Sequence, residues 1–299
     1  MSGDYPEGRG RVRLSAAGIE IEGVSIAGHE SFYKLPEFRC LLDFGRAPED
    51  VVSYATVCLT HGHLDHAAGL AHHASRRRLA GLESARVFAP AAAVGDLEAW
   101  ISASERLERV SYGVRLVASH PGDRVLLRRD LELRVLAGRH RVPTVGYLFS
   151  EVRHKLREQF TGLSGREIAD LRARGVEVTR LEEIPLLAYP GDCGAGIFDA
   201  APELFRARVL LIECSFLRSD DVDRARLYEH LHLQDFIERA DLFENEAIVL
   251  THFSQRYSNE EILQALRGLP ASLAERAMPF LPASAPRCGD RSGAEGIGD

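Results

Sequence analysis

With 299 residues, 45% hydrophobic and 27% charged, the chain is long enough for one large α/β domain or two modest ones. No run reaches the roughly 18–20 unbroken apolar residues of a membrane span, and MSGDYPEGRGRVRL lacks the apolar stretch of a secretory leader, so neither a membrane nor an exported protein is expected. A net charge of −7 excludes a wholly electrostatic nucleic-acid coat but not an RNA substrate held by a local basic patch or a metal, and five scattered cysteines (Cys40, Cys58, Cys193, Cys214, Cys288) point to reduced thiols in the cytoplasm.

In chain order, EFRCLLDFG, ATVCLTH and ARVFAP are brief apolar runs ending in turn signals and predict buried strands, with a helix over Ala67 to Arg78 between the last two. DRVLLRRDLELRVLAG alternates about Arg129-Asp130 and predicts an antiparallel hairpin with one wet face. Residues 153–180 carry net positive charge on an otherwise acidic chain and contain a capping box, Ser164 with Glu167; they read as a projecting arm. PLLAYPGD, ARVLLIECS and EAIVLTH predict further strands, a helix is expected over Asp221 to Leu242, and Ser258 with Glu261 caps another. The pattern is α/β, two mixed sheets flanked by helices, in one domain over 1–282. The small, Gly-rich tail 283–299 is expected to be disordered.

The informative cluster is ATVCLTHGHLDHAAGL, which puts His61, His63, Asp65 and His66 at a strand end and the mouth of a helix. Strand alternation lets His61 and His63 converge on one point, while Asp65 and His66, a turn further on, face a neighbouring point. Imidazole and carboxylate without clustered thiolates suit divalent zinc at a functional site rather than a zinc finger. Further strand ends supply His140, Asp192 and His252. The expected assignment is His61, His63 and His140 on one zinc, Asp65, His66 and His252 on a second, and Asp192 bridging both.

THGHLDH, with a later His, a Gly-Asp and a final Thr-His, resembles the metallo-β-lactamase superfamily, which implies an αββα sandwich around a dinuclear metal site. His63 stands where the oxygen-reducing branch has Glu, favouring the hydrolases. VSIAGHESFYKLPEFRCLLDFGRAP, HRVPTVGYLFSE, TGLSGREIADLRARGVEVT, IECSF, EHLHLQDF and LTHFSQRY cover residues 24 to 280 in order and are similar to short-form ribonuclease Z of the plant-type branch. That resemblance implies an endonuclease cutting the 3′ trailer from precursor tRNA, with two Zn2+ per chain (Mn2+ or Fe2+ as alternatives) on the same seven positions. It places the proton donor on His230 and its supporting carboxylate on Glu213; Asp65, beside the nucleophile, is expected to help take the water's proton as well as bind zinc. The resemblance also implies a homodimer whose arm, residues 153–180, serves RNA on the partner subunit. The chain departs from the family with Cys193 for Thr, Leu231-His232 for Ser-Thr, and a shortened arm tip, GLSG.

Other readings stand beside these. The alternative function is a hydrolase of a small phosphodiester, lactone or thioester on the same fold; a noncatalytic RNA-binding relative is disfavoured because all seven ligands are present. Arg256 and Tyr257 are candidates for contacting a phosphate or base, with helix-entry packing as the competing reading. His232 rivals His230 as the acid. Cys193 is expected to fill core space, and His72, His73, His120 and His154 to be solvated. His29, in AGHES, matches the plant-type pattern without an assigned mechanism.

Overall fold

The computed structural model describes residues 10–282; the expected tail and Cys288 lie outside the described residues. Fourteen strands among them form two seven-stranded sheets, each laid down in chain order. The first holds β1 (Val12–Ala16), β2 (Ile19–Ile26), β3 (Glu30–Leu35), β4 (Cys40–Leu42), β5 (Thr56–Cys58), β6 (Arg86–Pro90) and β7 (Arg115–Ser119). The second holds β8 (Arg124–Arg128), β9 (Leu131–Ala137), β10 (Val145–Leu156), β11 (Thr179–Tyr189), β12 (Val209–Glu213), β13 (Ala247–Thr251) and β14 (Ala277–Pro279). In both sheets the first four strands pair antiparallel and the last four parallel. The topology thus repeats, although the sequence shows no repeat.

Alternation explains the layers. Inward residues such as Ile19, Ile21, Tyr33 and Leu35 of the first sheet meet Leu133, Tyr147, Phe149 and Leu211 of the second in one core. A second core lies between the first sheet and α1 (Leu64–Ala67), α2 (Leu70–Leu79) and α3 (Val94–Glu108). A third lies under α5 (Ile197–Ala200), α7 (Leu233–Ile237), α8 (Asn259–Leu266) and α9 (Ala271–Ala274); α6 (Val222–Tyr228) contributes no side chain to it, and α4 (Gly165–Ala173) stands apart in the arm. The result is the αββα sandwich, and the parallel strands, apolar on both faces, are covered by helices on one side and the opposite sheet on the other. The 124–137 hairpin forms as expected, with β8 alternately exposed at the sheet edge. No helix among the described residues is long and apolar enough to cross a membrane.

Three expectations are revised. The helix expected at Ala67 begins at Leu64, inside the motif, and is interrupted at Gly69, where a Cβ would lie 2.5 Å from the Ala47 Cβ. The helix expected over Asp221 to Leu242 is broken: Glu229 turns left-handed (φ 52°) and ends α6, and α7 restarts at Leu233 under a capping box from His232 and Asp235. The arm is partly sheet, because Arg153–Leu156 of β10 pair with Thr179–Glu182 of β11, so the chain leaves the ladder only between 157 and 178. Beyond the ladder α4, with its Ser164–Glu167 box in place, buries none of its side chains.

Candidate active site

The site lies where strand ends from both sheets meet. Past β5 the chain delivers Thr60 and His61, and His61 forms an isolated antiparallel bridge to Thr144, the residue before β10. Asp192 follows β11, Glu213 ends β12, His252 follows β13, and His140 comes from the loop after β9. Gly191 permits the turn into Asp192: its φ is +70°, and a Cβ there would sit 2.6 Å from the Thr60 Cβ. Asp43 and His252 adopt left-handed backbone (φ 54° and 56°) without being glycine, a cost on the order of 1–3 kcal/mol each that the surrounding bonds must offset. His252 N–H donates to Ser25 Oγ (2.7 Å) and Asp43 N–H to the Cys58 carbonyl (3.0 Å).

The seven expected ligands converge in two groups that share Asp192: His61, His63, His140 and Asp192, and Asp65, His66, His252 and Asp192. In the first, His63 Nδ1 lies 3.1 Å from His61 Nε2 and 3.3 Å from His140 Nε2. In the second, His66 Nε2 and His252 Nε2 are 3.4 Å apart, and each lies 3.3 Å from an Asp192 oxygen. The outer nitrogens are already engaged: His66 Nδ1 on Asp43 Oδ2 (2.8 Å), His140 Nδ1 on the Glu229 carbonyl (3.0 Å), His61 Nδ1 on Thr60 Oγ1 (3.0 Å) and His252 Nδ1 on Ser215 Oγ (3.0 Å). Donation outward leaves lone pairs facing inward, and lone pairs this close repel unless a cation sits among them. The donor chemistry therefore fits a divalent metal, and the thiolate-free nitrogen and oxygen set suits zinc.

Electrostatics agree. Burial lowers the pKa of His61, His63 and His140, keeping these imidazoles neutral and able to ligate. At His66 burial acts in the same direction, but the Asp192 and Asp43 carboxylates outweigh it and raise the pKa, so positive charge is favoured there. Burial would raise the Asp192 carboxyl; the surrounding His252 and His66 hold it well below the usual carboxylate range.

His230 stands in the break between α6 and α7, not in a helix, and stacks its ring on His252 with centroids 5.4 Å apart. Its Nδ1 lies 2.6 Å from Glu213 Oε1. Burial would lower the His230 pKa, but the Glu213 carboxylate more than offsets this and raises it to about 9. Glu213 is 1% exposed and is fixed by Cys193 N–H (2.8 Å), Leu231 N–H (3.2 Å) and Ser215 Oγ (2.6 Å).

Sequence reasoning missed two supporting residues. Asp43 orients His66 and also accepts from Thr60 N–H (2.7 Å) and Tyr189 OH (2.7 Å); its one signal was the strand end in LLDFG. Ser215, in IECSF, joins Glu213 to His252.

The remaining candidates are placed as follows. Tyr257 is buried, and its hydroxyl and the Arg256 guanidinium both bond Asp221, at 2.5 and 2.6 Å, securing the entry to α8. His232 has both ring nitrogens engaged, Nε2 with the Arg218 carbonyl (2.8 Å) and Nδ1 accepting from Gln234 N–H (2.9 Å), as the cap of α7. Cys193 is core filler. His120 and His154 are exposed, but His73 is fully buried edge-on to Phe44, contrary to expectation. The AGHES turn reaches the site through Gly28 N–H, which donates to Asp65 Oδ2 (2.8 Å), while His29 packs on Arg46.

The β-lactamase superfamily domain pattern matches residues 36–253. The chain is 32% identical to the chloroplastic tRNase Z TRZ2 of Arabidopsis thaliana, over 93% of this chain and 80% of the relative. It is 33% identical to tRNase Z TRZ1 of the same plant, over 88% and 95%. The fold is similar to that of the short form of human tRNase Z, with TM-score 0.50 and 19% identity over 83% of this chain and 92% of that one. With these likenesses running along nearly its whole length, the chain belongs to the β-lactamase superfamily and, within it, to the tRNase Z family.

Proposed function

We propose that this chain is a zinc-dependent endoribonuclease that removes 3′ trailers from precursor tRNA. The observation that carries the reading is the Glu213–His230 pair set against a seven-donor cluster, in a chain whose relatives are named tRNase Z. His61, His63, His140 and Asp192 would hold one zinc, and Asp65, His66, His252 and Asp192 the other. When bound, the pair supplies Lewis acidity, which favours ionisation of water near neutral pH and offsets charge on a phosphodiester. Asp65 receives the attacking water's proton. His230, held cationic and oriented by Glu213, gives its proton to the departing 3′ oxygen, so the RNA body ends in a 3′-hydroxyl. Cys40, Cys58, Cys193 and Cys214 are free and buried, in keeping with a reducing, cytoplasmic setting.

The test is incubation of metal-replete protein with a precursor tRNA and with bis-p-nitrophenyl phosphate, mapping any cut. One cut at the trailer junction leaving a 3′-hydroxyl is expected. Hydrolysis of the small ester alone would make the small-substrate hydrolase the better reading.

The arm enters this proposal as an RNA grip, working across a homodimer so that each basic arm reaches over the other subunit's cleft. Its support is the positive charge of 153–180 and the unburied α4. Replacing the exposed Arg166, Arg172 and Arg174 of the arm by alanine leaves the ladder intact; it should cut precursor-tRNA cleavage by about 10-fold or more while hydrolysis of the small ester stays within about twofold. Survival of both activities would remove the arm from substrate binding.

A further inference from the structure

Beside the Glu213–His230 pair the surface opens into a cavity of about 630 Å³ whose wall includes both His140 and His230. Part of its lining is small, Gly194 to Gly196, and a Cβ on Gly196 would lie 3.4 Å from Arg139 Nε. Arg139 and Arg141 flank His140 and both line the cavity. Among the described residues neither has an acidic partner, unlike Arg226 in the same wall, which Asp235 holds at 2.6 and 2.9 Å. Near Arg141 stands Tyr228, 38% exposed, with the guanidinium carbons of Arg141 and Arg224 each 5.7 Å from its ring centroid. Unpaired guanidiniums in the cavity wall and a partly exposed aromatic ring beside it, outside its lining, are the groups that hold a phosphate and a base.

We propose that this cavity holds the nucleotide immediately 5′ of the scissile bond, with Arg139 and Arg141 on that nucleotide's own 5′ phosphate and Tyr228 as a stacking face for its base. The assignment rests on the reading of His230 as the acid in RNA cleavage. In that reaction the water oxygen bonds to phosphorus, the P–O3′ bond breaks with its electron pair on O3′, and O3′ takes the proton from His230. The trailer departs with a 5′ phosphate. The nucleotide that carries O3′ must therefore lie on the His230 side of the cluster, where the cavity is, and the trailer runs out of the opposite side.

Two RNA probes test this with the full, metal-loaded chain: the tRNA product ending at the cut, and a 5′-phosphorylated trailer oligonucleotide. The Arg139→Ala, Arg141→Ala double variant should bind the tRNA product about 10-fold or more weakly, with the slope of log K against log salt shallower by about one. Its affinity for the trailer should stay within about twofold, since no trailer phosphate is released from these arginines. Tyr228→Ala should weaken the same product tRNA about 5- to 10-fold with the salt slope unchanged. Unchanged product affinity in the double variant, or an equal loss for the trailer, overturns the assignment. A wild-type chain that cleaves no precursor tRNA overturns the underlying reading and the assignment with it, whereas a cleaving wild type with an unaffected variant overturns the assignment alone.

Discussion

Replacing Asp192 with alanine is expected to leave the chain unable to retain two metal ions and to lower phosphodiester hydrolysis by roughly a thousand-fold or more, about 4 kcal/mol of transition-state stabilisation. Asp192 is shared by both donor groups, it is 3% exposed, and its two oxygens reach His66 Nε2 and His252 Nε2 at 3.3 Å. Removing it takes one donor from each group and leaves six imidazole and carboxylate ligands without their common anion. Elemental analysis after zinc repletion and removal of excess metal should give two equivalents for the wild type and one or none for Asp192→Ala. Two equivalents retained by the variant would show that the bridge is unnecessary, and fewer than two in the wild type would refute the dinuclear assignment.

His230→Ala should slow turnover on precursor tRNA by about 100- to 10,000-fold, the usual scale for losing a general acid, while both metals stay bound. A departing 3′ oxygen is a strong base and depends on that proton; p-nitrophenolate is a weak base and does not. The loss on bis-p-nitrophenyl phosphate should therefore shrink below about tenfold. Equal losses on the two substrates, or loss of metal, would assign His230 a structural role instead. His232→Ala provides the contrast. With its nitrogens engaged in capping α7, its replacement should lower stability by about 0.5–2 kcal/mol without a selective effect on the RNA reaction.

The convergence of the candidate donors was legible in the sequence because several of them sit where an apolar run stops, and strand ends are where a sandwich of this kind exposes polar groups. His61, Asp192 and His252 follow that rule directly. What surrounds them was less legible, for reasons of long-range geometry. Nothing in LLDFG ties Asp43 to His66, 23 positions on, until β4 and β5 lie side by side. The break that frees His230 rests on a glutamate in left-handed conformation, with neither glycine nor proline to announce it. That Asp221, 35 and 36 residues earlier, bonds both Arg256 and Tyr257 is invisible in a linear reading; the bond leaves Arg256 exposed, while Tyr257 is buried.

The repeated topology bears on how the protein comes together. All seven strands of one sheet precede all seven of the other in the chain, yet each donor group draws two residues from each half: His61 and His63 with His140 and Asp192, Asp65 and His66 with Asp192 and His252. An ion captured by one half alone would have too few protein ligands to be held tightly. With ions bound in both groups as proposed, metal loading would be linked to the docking of the two halves, and the ions would act as a clasp across the sandwich. Each would lower the free energy of the closed chain relative to the open one, in which the halves are apart. Chelation would then loosen the seam between the sheets before it disturbed either sheet, and sites that belong to neither half would become the measure of whether the whole chain has folded.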